Sequence, residues 1–216
     1  MISPEAGAAL SGSHETDLDS LILSRPAFPV VVSGLSGVGK TSIVQAALAL
    51  RPDWRASIST TTRPARKTET SGQSYDFVGG EEFRRLKAEG SFLETAEVHG
   101  FFYGTPRARL ERWLSDGRIV VLNLDVQGGN SLRASFSDGV FVFILPPSIL
   151  VLEERLKHRD ADPPEVMERR LINAREELAQ APRYSYIIVN ESLELATRQL
   201  ISIVEAEQCR VERRMK

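Results

Sequence analysis

The run from Phe28 to Thr41, FPVVVSGLSGVGKT, constrains this chain more than any other stretch. Val30, Val31 and Val32 form a continuous apolar run, which suits a strand covered on both faces. Next comes Gly34-Leu35-Ser36-Gly37-Val38-Gly39-Lys40-Thr41, which fits G-x-x-x-x-G-K-[ST] without a gap, and a helical pattern, SIVQAALAL, follows directly. A strand, a glycine-rich turn and a helix in that order aim successive backbone N–H groups at one point, and the positive end of the helix reinforces them. Phosphate oxygens are what such a nest holds. The expected donor-site residues are Gly34, Ser36, Gly37, Val38, Gly39, Lys40, Thr41 and Ser42. Lys40 is expected to reach the β and γ phosphates during transfer, and the Thr41 hydroxyl to ligate Mg²⁺ directly. The chain is therefore expected to bind a nucleoside triphosphate with Mg²⁺.

The chain is long enough, at 216 residues, for one α/β domain of moderate size carrying inserted subdomains. A formal net charge of -2 argues against a nucleic acid or an anionic membrane as the main partner. A single cysteine, Cys209, rules out an internal disulfide framework and any Cys/His metal cluster, so a reducing, cytoplasmic setting is expected. Residues 1–27 are small, polar and acidic, with neither a basic n-region nor an apolar h-region, and read as a flexible N-terminal extension. No run approaches the length of a membrane span.

Downstream, strands and helices alternate. A first helix is expected from Lys40 to Leu50, with Ile43, Val44, Ala47 and Leu48 on its apolar stripe, and Arg51-Pro52 ending it. Strand candidates are 55–59, 75–78, 92–94 and 98–104, with a short helix from Glu81 to Ala88 stopping at Gly90. Thr105-Pro106 reads as the N-cap and first position of a helix carrying Ala108, Leu110, Trp113 and Leu114. Buried strands are expected at 118–125, 141–145 and 186–189. Ser148 is expected to cap a helix with Leu152 and Leu156 on one face, and Pro163-Pro164 to begin another with Val166, Met167, Leu171, Ala174 and Leu178. A last helix runs from Leu193 to about Glu207. Apolar strands separated by helices predict a three-layer sandwich with a central parallel sheet. The polar stretch from Ser59 to Tyr103 interrupts the alternation, and a second substrate is expected there.

Within that stretch Arg63 and Arg66 lie close together, with Ser59 before them and Tyr75 after. Guanidinium forks match phosphate oxygens bidentately, and hydroxyls can complete the set, which makes a second phosphate site. The bland alternative is a solvated basic loop. A neighbouring P-loop favours the phosphate clamp, because a kinase needs a place for its acceptor.

The fragments SGLSGVGKT, SISTTTRPAR, GQSYDFV, FLETAEVHGFFYGT, LNLDVQG, ILPPS, ERRLINAREEL and YIIVN, in that order, make the chain resemble the guanylate kinases from about Phe28 to the C-terminal helix. The resemblance implies ATP and GMP as substrates, leaves dGMP open as an acceptor, and brings Mg²⁺ with ATP as cofactor. By resemblance, residues 59–104 form the acceptor-binding subdomain and 148–170 a mobile lid. Ser59, Arg63, Arg66, Tyr75 and Tyr103 would hold the GMP phosphate, and Glu94 and Thr105 would read the guanine. Arg155, Arg159 and Arg170 would meet the transferring phosphoryl, and Asn190 would lie near the donor adenine. Asp125 would contact the nucleotide or order Mg²⁺-bound water. A carboxylate at Glu94 accepts from both the N1–H and the exocyclic amine of guanine, whereas adenine offers an unprotonated N1. A general base is not required, because the acceptor phosphate is already ionised and nucleophilic.

The sequence also departs from the family pattern. Leu35 stands where proline is usual, the loop Thr61 to Glu69 moves its proline and carries Thr68 for a glycine, and Asn123 replaces a common aspartate. The lid run Arg159-Asp160-Ala161-Asp162-Pro163 differs as well. Two other functions stay open at this level. One is a related P-loop kinase acting on another phosphorylated small molecule, such as a ribose phosphate. The other is a non-catalytic guanylate-kinase-like binding module. A monomer and a homodimer are equally compatible with the sequence.

Overall fold

The protein is described by a computed structural model covering residues 26–66, 69–73, 75–98, 100–159 and 172–215, with backbone only for 156–159. Strand β1 (Pro29–Gly34) is buried along its whole length, as its valine run predicts. It is the middle strand of five. Beside it lie β7 (Val120–Asn123) and β8 (Val140–Leu145), and outside those lie β2 (Arg55–Ser57) and β9 (Tyr186–Val189), all parallel in the order β2-β7-β1-β8-β9. The register sets Val31 beside Leu122 and Phe141, so the aliphatic and aromatic side chains of three strands meet at the centre. The expected strand over 118–125 is trimmed to its apolar middle, because Leu124 and Asp125 turn toward the next helix.

Helices cover both faces. Parallel strands require crossovers, and right-handed ones send connections that run in opposite directions across the sheet to opposite faces. Helices α1 (Lys40–Leu50) and α6 (Leu193–Gln208) pack together on one face. The other face carries α3 (Arg107–Ser115), against β2 and β7, and α4 (Val126–Ser135), against β1. Helix α5 (Ile149–Arg159) follows β8, and Ser148 caps it by accepting from the Val151 N–H. A further helical segment spans 172–178, and α7 (Val211–Arg214) closes the described chain. The expected helix start at Pro163-Pro164, with Val166, Met167 and Leu171, lies outside the described residues. Of the remainder of that stripe, Ala174 is buried but Leu178 is 45% exposed.

A second sheet, β4-β3-β6-β5, shares a cavity with the residues that follow the C-terminal ends of β1 and β7. It is built from β3 (Thr60–Thr61), β4 (Asp76–Phe77), β5 (Phe92–Val98) and β6 (Phe101–Pro106), with α2 (Gly80–Ala88) between β4 and β5. Two expectations need correction here. The fragments at 92–94 and 98–104 are arms of one antiparallel hairpin that pairs Ala96 with Tyr103. Thr105 and Pro106 belong to its second strand, so Thr105 is not a helix cap. Pro106 is itself the N-cap of α3, in extended conformation with no side-chain cap. The Thr105 hydroxyl has a better-buried use, as a donor to Glu94.

The sequence pattern does not predict helix α4. Its segment, VQGGNSLRAS, shows two glycines and little apolar periodicity. Asp125 starts it, accepting from the Gly128 N–H at 2.9 Å.

Candidate active site

The crevice lies beyond the carboxyl ends of β1 and β7, where connections leave β1's two sides in opposite directions, which is where open α/β sheets hold ligands. One cavity of about 610 Å³ runs from Ser36, Gly37, Lys40 and Thr41 to Ser59, Arg63, Arg66, Tyr75, Glu94 and Tyr103, with Asn123 and Asp125 on its floor. The two phosphate sites expected from separate parts of the sequence therefore face one space. Ser42 is exposed in the first turn of α1, outside this lining.

The loop between β1 and α1 is held from behind. Gly39 has φ 100, a left-handed conformation that side chains disfavour, and a Cβ there would lie 2.7 Å from Asn190 Nδ2. The buried Asn190 amide donates to the Val38 carbonyl at 2.8 Å. Arg155 donates to the same carbonyl at 3.2 Å and to the Asn190 carbonyl at 3.1 Å. Asn190 and Arg155 thus brace the phosphate loop against the ends of β9 and α5. Lys40 Nζ donates to the Gly34 and Leu35 carbonyls at 2.8 and 3.0 Å, which draws the ammonium across the loop. Asn123 Nδ2 donates to Thr41 Oγ1 at 3.0 Å, fixing the hydroxyl while leaving it able to coordinate a cation. Arg159 ends α5, with its side chain outside the description, and Arg170 lies outside the described residues.

Across the cavity, Arg63 is stacked and paired. Its guanidinium lies 5.4 Å from the Tyr75 ring centroid and 5.8 Å from that of Phe77, and Tyr75 meets Tyr103 edge-on. Both oxygens of Glu69 accept from Arg63 Nη2, at 2.9 and 3.0 Å, and one also accepts from the Arg66 N–H. Burial works against ionisation of Glu69, yet these donors hold its carboxyl below the ordinary range. Both arginines are expected from the sequence, and Glu69 as their partner is not.

Glu94 sits at the deep end. Its Oε1 accepts from Thr105 Oγ1 at 2.7 Å, and Thr105 is fully buried, so that hydroxyl acts from behind the carboxylate. Its Oε2 is buried and, among the described residues, has no hydrogen-bond partner. Burial pushes the Glu94 carboxyl up to about 7; the Thr105 hydrogen bond opposes the shift and the Asp125 charge adds to it. A buried acceptor left unpaired beside a cavity is the mark of a site completed by a ligand's donor.

One carboxylate unforeseen from sequence enters the phosphate loop. The Ser36 N–H donates to Glu177 Oε2 at 3.0 Å. Burial raises the Glu177 carboxyl above the ordinary range, the Ser36 N–H and Lys40 oppose that, and Asp125 reinforces it.

A model of the guanylate kinase family matches residues 27–207, a span holding the whole parallel sheet, the second sheet and every cavity residue named above. The chain belongs to the guanylate kinase family. The guanylate kinase of Syntrophotalea carbinolica is 47% identical over 183 residues, 85% of this chain and 87% of that protein. The guanylate kinase of Nitrosomonas europaea is 42% identical over 185 residues, 86% of this chain and 92% of that protein. The crystal structure of guanylate kinase from Anaplasma phagocytophilum superposes with a TM-score of 0.74 at 34% identity, covering 89% of this chain and 92% of that one. Guanylate kinase relatives thus share nearly the whole folded region, not the phosphate loop alone. Among the described residues no helix is long and apolar enough to cross a membrane.

Proposed function

We infer that this chain transfers the γ-phosphoryl of ATP to GMP, giving ADP and GDP. The observation that carries the acceptor is Glu94, a lining residue of the cavity that also holds the phosphate loop, with one oxygen tied to Thr105 and the other buried and, among the described residues, unpaired. In its ionised form that carboxylate accepts from guanine N1–H and the exocyclic amine together, and Asp125 lies close enough to contribute. A ribose phosphate offers hydroxyls but no planar edge with two adjacent N–H donors. Arg63 and Arg66, with Ser59, Tyr75 and Tyr103, hold the acceptor phosphate, and Glu69 holds Arg63 Nη2 in place until that phosphate arrives.

Transfer then needs alignment and charge neutralisation more than proton chemistry. The loop N–H groups and Lys40 hold the donor phosphates, and an acceptor phosphate oxygen attacks the γ-phosphorus in line as the bond to the β-phosphate oxygen breaks. Mg²⁺ bound with ATP would supply charge neutralisation at the donor phosphates. The Thr41 hydroxyl would hold it directly, with Asp125 acting through water. The donor set fits such an ion: the Thr41 hydroxyl oxygen, held by the Asn123 amide, keeps a lone pair for a cation, and Mg²⁺ bound to nucleotide phosphates needs few protein ligands. Arg155, Arg159 and Arg170 are assigned to the developing charge on a lid spanning 148–170, and 59–104 to the acceptor-binding subdomain. Asn190, from its place beneath the loop, is assigned to the adenine edge. The substrates belong to the cytoplasmic nucleotide pool.

Coupled measurement of ADP release with separate acceptors tests the reading. Turnover with GMP should far exceed that with AMP, CMP, UMP or a ribose phosphate, and chelation of Mg²⁺ should abolish it. Equal turnover of AMP and GMP would sink the guanine assignment.

A further inference from the structure

Glu177 is a charged group that transfer to GMP does not require, and it points into the place where phosphate is held. Its helical segment is fixed to the core by Ala174, 3% exposed, one turn before it. Ala181 and Tyr184, both buried, follow, and the Gln180 side chain accepts from Asn130 Nδ2 of α4. The carboxylate is therefore aimed by a docked backbone, not by a loose loop. It reaches 141 positions back along the sequence to accept from the Ser36 N–H, 3.0 Å away. That N–H belongs to the nest whose chemistry is to bind anions. Lys40 and Asp125 both act on Glu177 electrostatically, and Asp125 in turn acts on Glu94. Glu177 also lines the cavity that the phosphate loop shares with the acceptor pocket, so its carboxylate occupies a loop N–H on the side open to both.

We propose that Glu177 is an internal anion that competes with the γ-phosphate of ATP for the Ser36 N–H. The proposal rests on the reading of the loop as a donor site. One N–H cannot serve a carboxylate and a phosphate oxygen equally, and two anions in a shared, partly enclosed site repel. Binding of ATP turns the carboxylate away from Ser36. Once the γ-phosphoryl has passed to the acceptor, ADP presents no third phosphate and Glu177 reclaims the N–H. Ser36 therefore alternates between two anionic partners, and the site discriminates less strongly in favour of ATP over ADP than the loop alone would. A residue that discriminates between nucleotides by their terminal phosphate is a positioning residue for the donor, not a catalytic one.

Glu177→Gln keeps the shape and one acceptor oxygen for Ser36 while removing the charge, and Glu177→Ala removes both. Calorimetric binding of ATP and of ADP, each with Mg²⁺ and without GMP, should show ATP affinity rising about tenfold in both variants and ADP affinity changing less than about threefold. Inorganic tripolyphosphate should follow ATP. A mere structural brace would instead weaken both nucleotides alike in the alanine variant. An ATP/ADP affinity ratio unchanged in a folded Glu177→Gln protein overturns the proposal, even with GMP turnover of the wild type intact. Failure of the wild type to phosphorylate GMP would instead overturn the acceptor assignment and leave the ATP/ADP comparison standing.

Discussion

The two oxygens of Glu94 have different surroundings, and that asymmetry makes its chemistry testable. Oε1 accepts from Thr105, whereas Oε2 is buried with no partner among the described residues. Glu94→Gln keeps the size but turns one acceptor into an NH₂ donor. Against guanine, one buried pair then becomes donor facing donor. The expected loss is about 2–4 kcal/mol of transition-state binding for GMP, or roughly 30- to 1,000-fold in kcat/KM. AMP lacks both donors in that arrangement and should suffer much less, so competition kinetics should show the GMP/AMP ratio collapsing. An unchanged ratio would mean that Glu94 does not read the base. Single residues of this kind differ in how legible they are from sequence. Lys40, Arg63 and Glu94 stand within runs whose residue types fit one chemistry. Glu69 and Glu177 carry no such mark: an acid in a polar loop or on a helix reads as solvated until folding sets it against Arg63 or Ser36.

Among the elements, the strands of the parallel sheet were the most legible, because continuous apolar runs such as VFVFIL have few other homes. Helix α4 was hidden for a physical reason. Its glycines serve close packing, and close packing leaves no periodic signature in a single sequence. A Cβ added at Gly129 would lie 2.6 Å from both Ser33 Oγ and Tyr184 Oη, and 3.5 Å from a Val31 methyl. Alanine there should gain up to about 1 kcal/mol of helix propensity but lose more by forcing α4 off β1, for a net destabilisation of about 1–3 kcal/mol. Gly80→Ala in α2, where the nearest atom is Arg84 Nη1 at 3.9 Å, makes the control and should be neutral or stabilising. Urea denaturation of both variants measures the difference. Equal stability of the two would show that α4 does not need its close approach. The hairpin β5–β6 was misread for a related reason. Thr105-Pro106 has the local chemistry of a helix start, but a buried tertiary partner, Glu94, outweighed it.

For the whole molecule, one buried acid serves ligand recognition at the expense of stability, and the cost depends on pH. The Glu94 carboxyl is shifted from 4.5 to about 7 by burial. Because the folded value is the higher one, folding holds the proton more tightly than the unfolded chain does. That contribution is complete below the unfolded value and is lost as pH rises through about 7. Each unit is worth about 1.4 kcal/mol, so the loss is capped at about 3 kcal/mol. Glu69 and Glu207 act in the opposite sense. Burial raises both, but Arg63 and the Arg66 N–H on one, and the Tyr186 hydroxyl with Arg213 on the other, hold them below the ordinary range. Their support is present above the unfolded value and fades as pH falls through the folded one. The nucleotide-free protein should therefore be most stable in mildly acidic solution and weaken toward pH 8. In Glu94→Gln the alkaline weakening should shrink by up to about 3 kcal/mol, or about 6–12 °C in Tm, while the acid limb stays unchanged. A residual slope should survive, because burial also raises Glu177. The variant that loses GMP selectivity should thus be the more stable protein at pH 8, with an advantage that shrinks as pH falls and vanishes only below the unfolded value of 4.5. Denaturant titrations of both proteins across that range decide it, and parallel curves would show that the ionised Glu94 carboxylate carries no cost in the folded chain.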